Sequence, residues 1–325
     1  MLVDVQRDLC LLHLPDAMCD SIELVQRTKK TIPSSIEIHN SNVDTAARWQ
    51  HIRSRIGQLT RGIKRIRQQN GESVFNASLL HKDFWLEASD PQHRYGFNLR
   101  AFHKVWKQEM AEQKEGCACQ DTSFFHWLDY GNGKNLDLPE CTQQELRSTR
   151  VEYCDAQQRK NYELEFVSNG EEEVSVQYAT SECVVHTDER SKWIFVLDLS
   201  GRMYLGRKRK GRFHHSSFVS GGPILAAGKI IIKNGVILAI EPHSGHFKPR
   251  LENLLALCSM LVHHGVNIDN VAFIRPKKWT CAWPFPVQPD LELEDFAGAS
   301  DTDYGADKSD SEEPQTLLLD LEEVE

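Results

Sequence analysis

The stretch GKIIIKNGVILAI, residues 228–240, sets Asn234-Gly235 between two short runs of branched aliphatic residues. Asn-Gly readily supplies the two positive-φ positions of a type I′ turn, whose twist matches a flanking antiparallel pair, so the stretch predicts a β-hairpin. NYELEFVSNGEEEVSVQY (161–178) repeats the signal at Asn169-Gly170, and KWIFVLDLSGRMYLGRKRKGRF (192–213) predicts a third hairpin around Ser200-Gly201. Helical signals stand between and around these hairpins singly. FNLRAFHKVWKQEMAEQ (97–113) follows the Asp90-Pro91 break. CTQQELRSTR (141–150) offers a capping box, Thr142 with Glu145 three residues on, and Asp155 caps a further short helix. RLENLLALCSMLVHHG (250–265) is an amphipathic helix closing at Gly265, and NVAFI (270–274) reads as a last strand. Hairpins separated by isolated helices, without a strand-helix-strand rhythm, predict an α+β fold: an antiparallel hairpin-rich sheet with packed helices over residues 75–288.

The 325-residue chain is long enough to bury a core of its own. No apolar run reaches the roughly 18–20 residues that span a bilayer, and the first residues carry acids where a secretory leader would be basic, so a cytoplasmic or nuclear protein is expected. Nine cysteines with no Cys-x2-Cys pair, Cys117 and Cys119 being one residue apart, point to free thiols rather than zinc ligands or staples. No metal and no cofactor is expected. The net charge of −9 is unevenly spread: residues 46–70 carry +7, and from Asp290 onward fourteen acids face the single Lys308. Residues 1–43 read as an N-terminal extension and polar linker, and residues 289–325 as a disordered acidic tail.

Between linker and domain lies RWQHIRSRIGQLTRGIKRI, residues 48–66. Trp49, Ile52, Ile56, Leu59, Ile63 and Ile66 step by three and four, the spacing of one apolar stripe on a helix. With a cap at Asp44 or Thr45 and a stop at Asn70-Gly71, the predicted helix runs over residues 44–70. Its other face carries Arg48, Arg53, Arg55, Arg61, Lys64, Arg65 and Arg67 and no acid, so the like charges repel uncompensated. An acidic partner with an apolar groove satisfies both faces, as calmodulin or a calmodulin-like protein does with its target helices. Burial of the stripe against the chain's own domain is the next reading. Nucleic acid is disfavoured by the acidic tail, and a membrane surface by the absence of any feature that a protein groove would not suit equally.

The same stretch approximates an IQ motif. In the frame from Ile56, Gly57 stands where Gln is usual, Arg61-Gly62 match, and Ile66 falls between Arg65 and Arg67. Further on, FFHWLDYGNGKNLDLPEC (124–141), the block from Lys192 to Ile230, and PHSGHFKPRLENLLALCSMLVHHGVNIDNV (242–271) resemble the signature blocks of the IQ-motif-containing calmodulin-binding proteins of plants and their fungal relatives. The resemblance covers about residues 45–275, with the blocks in the family's order. It implies calmodulin binding through the helix, by Trp49, Ile52, Arg53, Arg55, Ile56, Leu59, Arg61, Ile63, Lys64, Arg65 and Ile66, without an absolute need for calcium. It implies no reaction for the globular domain.

Two loops suggest chemistry of their own. FHHSSF (213–218) and PHSGHF (242–247) place four histidines and three serines on either side of one hairpin. If the first is a strand, His215 and Ser217 share a face, and Ser217 with His246 is the preferred nucleophile-base pair, oriented by Asp198 or Glu241. His214, Gly221, Gly222, His243, Ser244 and Gly245 are candidates for holding a phosphate-bearing small molecule, with the basic run Arg207–Arg212 nearby. The plainer alternative is a set of hydrogen-bonded core and turn residues. An enzyme or ligand-binding domain is thus the second functional reading, after a calmodulin-binding adaptor or regulator.

Overall fold

A computed structural model describes residues 77–90, 92–113, 123–168, 170 and 174–286. The linker of residues 1–43, the basic segment 44–70, Cys117, Cys119 and the acidic tail 289–325 lie outside the described residues.

Two sheets form. β1 (Leu164–Ser168) and β2 (Val174–Tyr178) make an antiparallel pair, and β3 (Trp193–Asp198), β4 (Met203–Arg207), β5 (Ile224–Lys233), β6 (Val236–Glu241) and β7 (Ala272–Phe273) make a five-stranded sheet in the order β4-β3-β5-β6-β7. All three predicted hairpins are present: β1 pairs with β2, β3 with β4 and β5 with β6, each antiparallel. Asn234 at φ 50° and Gly235 at φ 83° occupy the positive-φ turn that the Asn-Gly pair predicted. One part of the expectation needs correcting. NVAFI does give the last strand, but β7 lies parallel to β6, because the helix that precedes it carries the chain back across the sheet.

The strands alternate so that the two faces of the large sheet bury different residues. Phe195, Leu197, Met203, Leu205, Ile230, Ile232 and Ile240 face the helix α7 (Leu251–His263), whose Leu254, Leu257, Cys258 and Leu261 lie along one stripe. Trp279, Trp283 and Phe285 close this layer at its end. The opposite face presents Ile194, Val196, Tyr204 and Ala227 to Phe213, Phe218, Val219 and to Leu80, Phe84 and Ala88. Here the covering elements are the short helices α1 (Trp85–Ser89) and α6 (His215–Val219). A third cluster joins the helices α2 (Gly96–Gln113), α3 (Phe124–Tyr130) and α4 (Gln143–Ser148) through Leu99, Phe102, Phe125, Trp127, Leu128 and Leu146. The expected capping box is formed by Thr142 with Glu145 on α4, and the expected cap Asp155 opens α5 (Ala156–Lys160), where Gln158 completes a second box.

The second correction concerns FHHSSF. The expected strand is instead α6, opened by His214 in an extended conformation and closed by Ser220 in the left-handed region. Alternation of side chains across a strand therefore does not apply to it. The helix forms because its residues cover a sheet rather than extend one: Phe218 and Val219 seat on β3 and β4, and the Ser217 hydroxyl accepts the His214 backbone N–H.

A buried ion cluster ties the helical layer together. Arg94, 1% exposed, donates to both oxygens of buried Asp90 and to Asp129 on α3. Such bidentate pairing keeps a desolvated guanidinium satisfied.

Candidate functional site

The sheet face under α1 and α6 is where polar groups collect. A cleft there is lined by Phe84, Tyr95, Phe97, Arg100, Lys208, His214, His215, Lys229 and by the turn His243 to His246. Of the residues expected to act in the loops, His214, His215, His243, Ser244, Gly245 and His246 are brought together in this cleft. Ser217, Gly221 and Gly222 are not among its lining residues. Ser217 is the third residue of the α6 turn, and no hydrogen bond joins it to His246. Gly221 and Gly222 terminate α6, with Gly221 at φ 74° and packed near Leu80 and Ala88. Asp198 is engaged elsewhere: it accepts from the Ser200 and Arg202 backbone, the Arg202 side chain and the Tyr204 hydroxyl, and so shapes the β3–β4 turn. Glu241 pairs with Lys229 at 3.0 Å and stands 4.0 Å from His243.

Four rings stack through the cleft wall. Tyr95 lies parallel to His214 at 5.3 Å, His214 stacks on His246 at 5.0 Å, and His246 on Phe84 at 3.7 Å. The column fixes both imidazole planes by packing alone. Burial pushes His214 well below the usual histidine range, and the Lys208 ammonium and the neighbouring imidazoles push in the same direction. His215 is lowered likewise, chiefly by burial. Its Nε2 lies 3.0 Å from the Gly228 carbonyl oxygen, which can only accept, so His215 carries its proton on Nε2. Gly228 itself must be glycine, since a Cβ there would run into the Glu241 carbonyl of the neighbouring strand.

Beneath His246 sits Glu87, which is 0% exposed. Its carboxylate accepts the Gly96 backbone N–H at 2.9 Å and the Tyr153 hydroxyl at 3.1 Å, and its Oε1 is 3.8 Å from His246 Nε2, beyond hydrogen-bond reach. Nothing in FWLEASD singled this glutamate out. Its carboxylate is buried because α1 and α2 fold over it, a contact between segments with no local sequence signature. Arg100, Phe84, Tyr95 and Phe97 were missed for the same reason.

The Nε2 atoms of His214 and His246 and the Ser244 hydroxyl are buried and have no hydrogen-bond partner. An orphaned buried polar atom costs about 1–3 kcal/mol, and native chains leave few of them. Three such atoms fall on residues lining one cleft. Among the described residues no group of histidine, cysteine, aspartate or glutamate is arranged to hold a metal ion, and no helix is long and apolar enough to cross a membrane. Cys141, Cys154 and Cys258 are free and buried, and burial raises all three thiols.

Comparison with known proteins places these elements in context. A family profile described as the IQ motif-containing protein middle domain matches residues 158–254, from α5 into α7, and so includes α6 and the 243–246 turn. IQ domain-containing protein IQM3 of Arabidopsis thaliana is 36% identical over 234 residues, covering 71% of this chain and 47% of that protein. IQ domain-containing protein IQM2 of the same plant is 37% identical over 242 residues, covering 73% of this chain and 36% of its own length. The chain thus spans less than half the length of the curated relatives it matches. No solved structure matches it.

Proposed function

The chain belongs to the IQM family, and from that membership we propose that it is a calmodulin-binding regulatory or adaptor protein acting through residues 44–70. The observation that carries this reading is the segment itself: six large apolar residues at helical spacing and seven basic residues without an acid, in the chain just ahead of the domain shared with relatives named for an IQ domain. The apolar stripe from Trp49 to Ile66 fills a partner's groove, and Arg53, Arg55, Arg61, Lys64 and Arg65 face its acidic rim. The segment's +7 and the acidic tail beyond Asp290 attract each other, so the tail competes with calmodulin for the segment. Such a protein works in the cytoplasm or nucleus, where calmodulin is found.

Calorimetric titration of the full chain with calmodulin, with and without calcium, tests the proposal. A saturable heat is expected in both conditions. Ile56→Asp together with Ile63→Asp is expected to weaken binding by tenfold or more, about 1.4 kcal/mol. Removal of residues 290–325 is expected to strengthen it at low salt and to change little at high salt. The absence of binding in either condition overturns the proposal.

A further inference from the structure

The cleft on the polar face of the sheet calls for a ligand whose chemistry can be read from its lining. Three of the buried side chains that line it carry a polar atom without a hydrogen-bond partner: His214 at 2% exposure, Ser244 at 3% and His246 at 6%, the last with its Nε2 turned toward Glu87 Oε1, 3.8 Å away. They come from two separate segments, the start of α6 and the turn before α7. The ring column of Tyr95, His214, His246 and Phe84 holds the imidazoles in place, so these atoms cannot turn away to find partners elsewhere.

The surrounding charge is cationic. Arg100, Lys208 and Lys229 line the same cleft. Arg100 lies over the rings of Phe84 and Phe97 at 5.9 and 5.4 Å, and its approach to Asp83 is a long 3.8 Å. The acids nearby are committed: Glu241 to Lys229, Asp83 to His81 at 3.0 Å, and Glu87 to Gly96 and Tyr153 on the far side of His246. An anion entering the cleft beside His214 and Ser244 therefore meets donors and positive charge, with the Glu87 carboxylate set behind the His246 ring. Size narrows the choice. The cleft is open on one side and leaves about 50 Å³ to water-sized atoms, so the group that enters it is small.

The geometry points to a phosphate-binding site, in which Ser244 Oγ–H and the Nε2–H tautomer of His214 donate to the phosphate oxygens, Arg100 supplies the counter-charge and the His246 ring holds His214 in place by stacking. The phosphate is either the free ion or the end of a small ester. In the ester the organic part lies outward against Phe97, which is 38% exposed at the rim. This site is independent of the calmodulin-binding segment. Neither proposal stands or falls with the other, because the variants that test them do not overlap.

The test is calorimetric titration of the full chain with inorganic phosphate and, separately, with phenyl phosphate. Saturable binding of at least one is expected, weakened tenfold or more by Ser244→Ala and by Arg100→Gln. Tighter binding of phenyl phosphate, lost in Phe97→Ala while phosphate itself is unaffected, identifies an ester as the ligand. Binding of phosphate alone identifies the free ion. Because His246→Ala removes a ring from the stack and can unfold the region, Ser244→Ala serves as the decisive variant, with its unchanged thermal unfolding as the control. No saturable heat from either titrant overturns the assignment, as does binding that both variants leave intact.

Discussion

The two faces of the five-stranded sheet are built from neighbouring residues of the same strands, yet they do different work. Under α7 the sheet meets Leu254, Leu257, Cys258 and Leu261, a mostly apolar layer whose buried Asn253 donates to the Leu225 carbonyl oxygen. Under α1 and α6 it meets Phe218 and Val219, and beside them His214, His215, Ser244, His246 and Glu87, all buried. A long amphipathic helix covers the first face with one continuous stripe. Two helices of five residues each cannot do so, and the space between them is filled by polar side chains, among which His214 and His246 stack on each other, His215 bonds the Gly228 backbone and Glu87 bonds Gly96 and Tyr153. The difference teaches that both faces bury apolar clusters, while only the one under the short helices also makes room for a polar cleft.

The largest effect is expected on the apolar face. Phe195→Ala empties a fully buried position between β3 and α7 and is expected to destabilise the chain by about 3–5 kcal/mol, read from urea unfolding, without altering the cleft's chemistry. A loss below about 1 kcal/mol would mean that this face does not carry the stability assigned to it.

Acidification addresses the polar face. His214 and His215 are held neutral in the folded chain by burial, whereas unfolded histidines take up a proton below about pH 6.5. The unfolded state then binds more protons, so stability falls as pH drops below about 6.5, by up to ~1.4 kcal/mol per pH unit for each histidine. His103, lowered to about 4 by burial and by Lys107, adds to the slope between about 6.5 and 4. Urea midpoints measured from pH 7 to pH 5 are expected to show this decline. His214→Phe, which keeps a ring between Tyr95 and His246, is expected to make it shallower. An equal slope in that variant would place the proton uptake elsewhere.

The smallest effect sharpens the contrast at the end of α6. The Ser220 hydroxyl donates to the Cys154 carbonyl oxygen at 2.7 Å, and Ser220 itself sits at φ 50°. Ser220→Ala is expected to cost about 1 kcal/mol, the worth of one buried hydrogen bond. Ser220→Gly, which gains from the left-handed backbone what it loses in the bond, is expected to cost less. The ranking is read from thermal unfolding midpoints, and because both variants lose the bond, its reversal would show that the left-handed backbone does not decide the cost there.

Local chemistry explains what was legible in advance. Asn234-Gly235 makes its turn whatever surrounds it, Thr142 and Glu145 cap α4 within one helical turn, and the stripe of α7 is visible in its own thirteen residues. FHHSSF misled because six residues are too few for periodicity to separate strand from helix, and the outcome depended on which sheet face Phe218 and Val219 could cover. The histidines and serines of the two loops were candidates from their types alone. That His214 and His246 would stack, or that Glu87 would lie beneath them, could not be read from types.

The amino-acid sequence by itself determined the turns, the caps, the long helix, the hairpin pairing and the uneven charge, since each depends on residues a few positions apart. Only the tertiary structure decided the parallel placement of β7, the burial of Glu87 and the gathering of Arg100, His214, Ser244 and His246 around one cleft. Those contacts join segments up to about 160 residues apart in the chain, from Glu87 to His246. Such distant segments meet because covering both faces of one sheet removes the most apolar surface from water, a condition set by the whole fold and by no single stretch of it.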